Sequence, residues 1–179
     1  MMAPLSNSAG GLFFSIKEII KDIKVKKITM NLQELCKELG EMAKAQELVQ
    51  FSAAGASLAE INPLQVDYYP LFYIIPSGTH TVKDDTTRYD LTLYYIDRLL
   101  EDNSNTIDIF SSSIENLKNI LIGARDIPGV ADVEDTYTIR NFMPEKLNDR
   151  VAGAYAQVRI TCENETVCFV EPEQTMPDL

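Results

Sequence analysis

Between Arg88 and Asp97 the chain reads RYDLTLYYID, with Tyr89, Leu91, Leu93 and Tyr95 on one phase of a two-residue period and Arg88, Asp90 and Thr92 on the other. Successive side chains of a strand point to opposite faces, so this pattern predicts a strand buried on one face only. The preceding run DYYPLFYIIP, 67–76, is also β-prone, but 71–75 is apolar at every position. A strand of that kind needs cover on both faces. Pro70 cannot donate to a ladder and suits its first position. Pro76-Ser77-Gly78 reads as its end, and the polar stretch 79–87 as an exposed hairpin arm.

The other elements follow from helical periodicity and capping. Residues 1–11 have the small, polar composition of a tail. Leu12, Phe13, Ile16, Ile19, Ile20 and Ile23 then follow helical spacing, with Lys17, Glu18, Lys21, Asp22 and Lys24 opposite them. Asn31 with Glu34 forms a capping-box pair ahead of a stripe of Leu32, Leu35, Cys36, Leu39, Met42, Ala43 and Val49. This second helix is expected to stop near 51–55, and the stretch to Asp67 reads as a loop. The segment 106–110 reads as short and extended, and Ser112 with Glu115 as the capped start of a third helix whose apolar face is Ile114, Leu117, Ile120, Leu121 and Ala124. Pro128-Gly129 closes that helix.

Residues 133–142 read as one strand. In 154–162, Ala154, Ala156, Val158, Ile160 and Cys162 fall inward while Tyr155, Gln157, Arg159 and Thr161 fall outward. A turn at 163–166 is expected to return the chain through 167–170. The expected fold is α+β: an antiparallel four- to five-stranded sheet flanked by helices, with an N-terminal helical extension. The expected division is an extension over 1–30 carrying a short basic amphipathic helix, a single domain over 31–172, and an acidic tail over 173–179.

A chain of 179 residues, 45% hydrophobic, has enough material for one proper core. No apolar run approaches the roughly 18 residues of a membrane span, and the start of the chain does not read as a signal peptide, so a soluble, unsecreted protein is expected. Cys36, Cys162 and Cys168 are expected to be reduced thiols, with an incidental pair between the last two conceivable if the geometry permits. The formal net charge of -11 argues against a general nucleic-acid binder. The charge is uneven: 1–50 holds seven lysines and six acids, whereas 51–179 holds nine bases and twenty-one acids.

No residue cluster with a catalytic signature stands out. His80 is the one histidine and reads as an exposed loop residue, since a catalytic or zinc site would need partners that are not near it in sequence. Asp84-Asp85 and 132–135 lack the alternating acids and fixed glycine of a calcium loop. Gly10-Gly11 has no phosphate-loop continuation, and 111–113 lacks the glycines of a nucleophile elbow. No cofactor and no metal are expected. The lysines at 17, 21, 24, 26 and 27 are either a solvated helix face, which is the ordinary case, or a patch for an acidic partner.

Four stretches, YYPLFYIIPSG (68–78), RYDLTLYYIDRLLEDNSN (88–105), NLKNIL (116–121) behind its serine-rich helix start, and DRVAGAYAQVRITC (149–162), resemble neck proteins of tailed bacteriophages. The resemblance is to the ring proteins of crAss-like phages of gut Bacteroidales, which have a tail-terminator type of fold. It implies an antiparallel sheet flanked by helices and head-to-tail assembly into a closed homo-oligomeric ring between portal and tail. The implied partners are the portal protein and adjacent neck or tail ring proteins, with DNA passing through the lumen without specific binding and no membrane. The implied location is the virion neck or tail, with host cytoplasm during assembly.

The expected function is therefore that of a non-enzymatic structural virion protein forming a ring around the DNA channel. The rival is a small cytoplasmic enzyme or ligand-binding domain with a pocket between sheet and helices. The candidate partner interface comprises Lys17, Lys21, Lys24, Lys26, Lys27, Tyr68, Tyr69, Phe72, Tyr94, Tyr155 and Arg159.

Overall fold

A computed structural model describes residues 30–61, 68–144, 147 and 149–164. The amphipathic helix expected over 12–23, the turn and return strand after 163, the acidic tail and Cys168 lie outside the described residues. Within them the fold is α+β, with two helices and a mixed, mostly antiparallel sheet of six strands. Helix α1 spans Leu32–Ala45 and α2 Thr106–Gly123. The strands are β1 Phe51–Ala54, β2 Leu71–Lys83, β3 Thr86–Arg98, β4 Val130–Val133, β5 Ile139–Phe142 and β6 Val151–Glu163. The sheet order is β1-β2-β3-β6-β4, with β5 also pairing with β6.

Helix α1 begins as the capping box requires. The Asn31 side chain accepts the Glu34 N–H and the Glu34 carboxylate accepts the Asn31 N–H, both at 2.9 Å. Leu35, Leu39, Gly40 and Ala43 form its buried stripe. The helix ends at Ala45, well short of the expected stop near 51–55 and before Val49, assigned to its stripe from sequence; the residues read as its end instead form β1, which runs parallel to β2 with Phe51 opposite Leu71 and Ala54 opposite Ile74. Phe-Ser-Ala-Ala carries little strand signal of its own. What makes it a strand is the ladder that β2 offers along its edge.

The expected end of β2 at Pro76-Ser77-Gly78 is instead a bulge. Pro76 faces Leu91 and His80 faces Tyr89, so Ser77, Gly78 and Thr79 together oppose Asp90, and pairing resumes to Lys83 opposite Thr86. Beyond Ile74 this side of β2 has no β1 partner among the described residues, and an edge is where a proline without an N–H is tolerated. Asp84 takes the positive φ of the two-residue turn to β3 (φ 48).

Helix α2 also departs from expectation, starting at Thr106 rather than Ser112. Asn105, at its cap position, directs its side chain backward, accepting the Leu100 N–H (2.9 Å) and donating to the Arg98 carbonyl (3.0 Å). The residues 106–110 look β-prone in isolation, but Ile109 is the first of the buried series Ile109, Ser113, Leu117, Ile120 and Leu121. Ile114, assigned to the apolar face from sequence, is 39% exposed. The single strand expected over 133–142 is two, β4 and β5, separated by 134–138; both pair with β6, at Val133–Ile160 and Ile139–Ala156.

Both helices pack on one side of the sheet. Phe72, Ile74, Tyr89, Leu91, Leu93, Tyr95, Ala154, Ala156, Val158, Ile160 and Cys162 face them and are buried. This is the face that the alternation in 88–97 and 154–162 foretold. The small alanines of β6 let α2 approach the sheet. On the opposite side, Leu71, Tyr73, Ile96 and Val151 form a second cluster with Ile61, and Phe51, Leu58 and Tyr69 pack around it. The second face of the doubly apolar strand is thus covered at its beginning by the chain's own 51–61 segment. Among the described residues no helix is long and apolar enough to cross a membrane.

Candidate functional site

Away from the helices, the middle of the sheet carries an aromatic patch. Tyr94 on β3 lies directly opposite Tyr155 on β6, and their rings stack with centroids 5.5 Å apart and planes 28° apart. Phe142, on β5, meets both edge-on, at 5.4 and 6.1 Å. Phe142 pairs with Gly153, which adds no side chain to this face. All three rings are half-buried, with no helix of the described residues above them. Burial, and then the neighbouring Tyr155, raise the pKa of Tyr94, so its hydroxyl stays neutral at physiological pH.

This patch runs into a charged end. Arg159 bridges Asp90 (3.2 Å) and Glu134 (3.2 Å) across three neighbouring segments, and it sits over a shallow hollow of about 280 Å³. At the other end, Tyr69 donates to Asp149 (3.1 Å), and Tyr73 donates to Glu60 and to the Ser57 carbonyl (3.2 Å each). Burial, with the adjacent carboxylates Asp149 and Glu60, pushes both phenols up to about 12. Tyr68 is 37% exposed, its ring 4.7 Å from that of Phe51.

The expected interface is thus brought together only in part. Tyr94, Tyr155 and Arg159 share the helix-free face, and Tyr68 and Tyr69 lie at its β1 end. Phe72 does not belong with them: its side chain points to the helix side and is fully buried in the main core, because its place in β2 is one residue out of phase with Leu71 and Tyr73. Lys17, Lys21, Lys24, Lys26 and Lys27 lie outside the described residues.

Two surfaces were not foreseen from sequence. Ile107, Ile114 and Ile122 of α2 are 74%, 39% and 52% exposed. Spaced seven and eight residues apart, each lies two turns from the next on the outer flank of the helix, with the exposed Ser111 and Lys118 between them. The signal is legible once the helix is started at Thr106, since Ile107 then falls two turns before Ile114. The other surface is an open groove of about 690 Å³ between α1 and β1, with Leu32 and Cys36 beside the charged Lys37, Glu41 and Lys44 on its wall, Ser52 and Ala54 on its floor and Pro76 at one end.

Neither described cysteine is poised as a nucleophile. Burial pushes the Cys36 thiol up to about 11 and that of Cys162 up to about 12, which leaves little thiolate at neutral pH. His80 is exposed on β2, its ring edge-on to Tyr89 at 5.2 Å. Among the described residues, no three His, Cys, Asp or Glu side chains are grouped to hold a metal ion. Compared with known proteins, the chain matches no family model, and no curated protein matches it.

Proposed function

We propose that the protein is a structural, ring-forming component of a phage neck, of the head-to-tail connector or tail-terminator type, and that its work is done by surface area rather than by bond-making. The observation that carries this reading is a pair of dissimilar surfaces on opposite sides of one sheet. The spaced exposed isoleucines of α2, Ile107, Ile114 and Ile122, lie on the helix side, and the Tyr94–Tyr155–Phe142 aromatic patch on the other. A ring built head to tail needs two different patches per subunit, so that each copy offers one to the neighbour on either side. Aromatic side chains suit such contacts, because they contribute large apolar area at low entropic cost and Tyr keeps a polar tip.

The charge distribution supports the same reading. With twenty-one acids against nine bases over 51–179, a ring of copies repels the phosphate backbone and lets DNA slide through without adhering. A particle map with a basic lumen contradicts this part of the proposal. The portal and neighbouring neck or tail rings are the proposed partners.

Mass measurement tests the assembly. The wild type is expected to form a closed oligomer, alone or on its partner, and Tyr155→Glu and Ile114→Glu are each expected to stop growth of the ring while circular dichroism stays unchanged. A monomer that joins no particle and turns over a small molecule overturns the proposal in favour of an enzyme or ligand-binding domain, for which the α1–β1 groove is the natural pocket.

A further inference from the structure

We infer that the two bare edges of the sheet at its hairpin end pair with each other between copies of this chain, the outer edge of β2 around Val82 on one copy adding to the outer edge of β4 on the next. At this end the sheet is a ribbon of four strands. Val82, Thr87, Cys162 and Val130 fall in one row across it, and His80, Tyr89, Ile160 and Val133 in another. β1 reaches only to Ile74 on β2, and β5 joins β6 farther along, so among the described residues no strand pairs with β2 beyond Ile74 or with the outer side of β4. The main-chain N–H and C=O groups on such an edge are a template for another strand.

Strand direction suits a copy of the same chain. β2 is antiparallel to β3, β3 to β6 and β6 to β4, so β2 and β4 run in opposite directions. A second copy set beside the first in the same orientation therefore brings its β2 antiparallel to the first copy's β4. The alternation of the ribbon continues unbroken across the join.

Main-chain bonding sets the register. The Glu134 N–H donates to the Arg159 carbonyl (3.0 Å), so Glu134 is turned toward β6 and Val133, one residue earlier, is turned outward. Lys83 and Thr86 flank the two-residue turn and close the hairpin, which turns Lys83 toward β3 and Val82 outward. Placing Val82 opposite Val133 joins two outward-turned residues. It also keeps both valines on the helix side of the sheet and sets Lys83 directly opposite Asp132 on the other side. Val82 is 70% exposed, and Lys83 and Asp132 are exposed with no ion-pair partner among the described residues. Opposite charges facing each other across an antiparallel pair attract, so the register that satisfies the main chain also matches the charges. The contact goes beyond the ring reading and uses no residue of its two surfaces; it needs only a second copy.

Cross-linking of the full-length protein tests it. Within one subunit Lys83 and Asp132 are three strand spacings apart, roughly 14 Å, too far for a disulfide. Between copies in the inferred register they form a non-hydrogen-bonded pair with Cα atoms about 4.5 Å apart, within disulfide reach. In a background of Cys36→Ser and Cys168→Ser, with Cys162 buried in the core, a mixture of Lys83→Cys and Asp132→Cys proteins is expected to oxidise to a dimer of one chain of each, and neither protein alone to do so. Val82→Pro removes an N–H that points away from β3, a change an edge strand tolerates. It is expected to weaken association of the copies by at least about ten-fold while circular dichroism stays unchanged. Lys83→Asp and Asp132→Lys are each expected to weaken association and, combined in one chain, to restore it. A mixture that yields no mixed dimer, or association that Val82→Pro leaves untouched, overturns the inference. A ring that Tyr155→Glu abolishes and Val82→Pro does not also overturns it, and leaves the ring reading standing.

Discussion

The Tyr95 hydroxyl, reaching out of the sheet from β3, donates a 2.8 Å hydrogen bond to the main-chain carbonyl of Leu48 beyond the end of α1. The ring is buried, so this bond ties the loop between α1 and β1 to the middle of the sheet from inside the core. Tyr95→Phe keeps the packing and leaves that carbonyl without its donor. The expected loss is about 1–2 kcal/mol, measured as a lower urea midpoint at unchanged m-value.

Gly153 is the position where the sheet tolerates no side chain. It pairs with Ile96, and a Cβ there would run into the Tyr95 carbonyl oxygen and the neighbouring backbone. The obstacle is main chain and cannot swing aside, so β3 and β6 must separate to admit a methyl group. Gly153→Ala is expected to destabilise by about 1–3 kcal/mol. A calorimetric scan checks this, and an unchanged midpoint would refute it.

Ser113 is fully buried in α2, and its hydroxyl has no hydrogen-bond partner among the described residues. A buried donor in that state costs free energy, because it has left water without compensation. Ser113→Ala removes the hydroxyl and leaves a good helix former. The variant is expected to be more stable by about 1 kcal/mol, again read from the urea midpoint.

Tyr69 and Tyr73 link stability to alkaline pH. Their folded-state values are pushed up to about 12 from an ordinary 10. Above pH 10 the unfolded chain gives up these protons while the folded one keeps them, so deprotonation favours unfolding. The stabilisation is complete below pH 10 and is lost as pH rises toward 12. Tyr73→Phe is expected to flatten that decline and to remove one late step from the phenolate absorbance titration.

Strand alternation over 88–97 and 154–162 and the capping box at Asn31 were legible in advance, whereas the box read at Ser112 and Glu115 lies inside α2 and the strand read over 133–142 is two. Asn31 and Glu34 form the predicted box, and every residue assigned inward in 88–97 and 154–162 is buried against the helices. The second face of the sheet was legible only in part. Tyr94 and Tyr155 were recognised as outward aromatics, but Phe142 joins them only because β5 pairs with β6 at Gly153, a contact between segments distant from Tyr94. Phe72 was misplaced because the run 71–75 has no alternation to assign a phase, and only pairing with β3 sets it.

The same division accounts for β1, the bulge in β2 and the early start of α2. Local pattern alone determined the α+β class, the capped start of α1 and the buried face of β3 and β6, since side-chain period and cap chemistry act within a few residues. Tertiary structure decided that 51–54 becomes a parallel strand, that Pro76 bends an edge without ending it, and that 106–110 turns helical. In each of these the local preference is weak or opposed, and the outcome follows from backbone hydrogen bonds and apolar burial that distant parts of the chain supply.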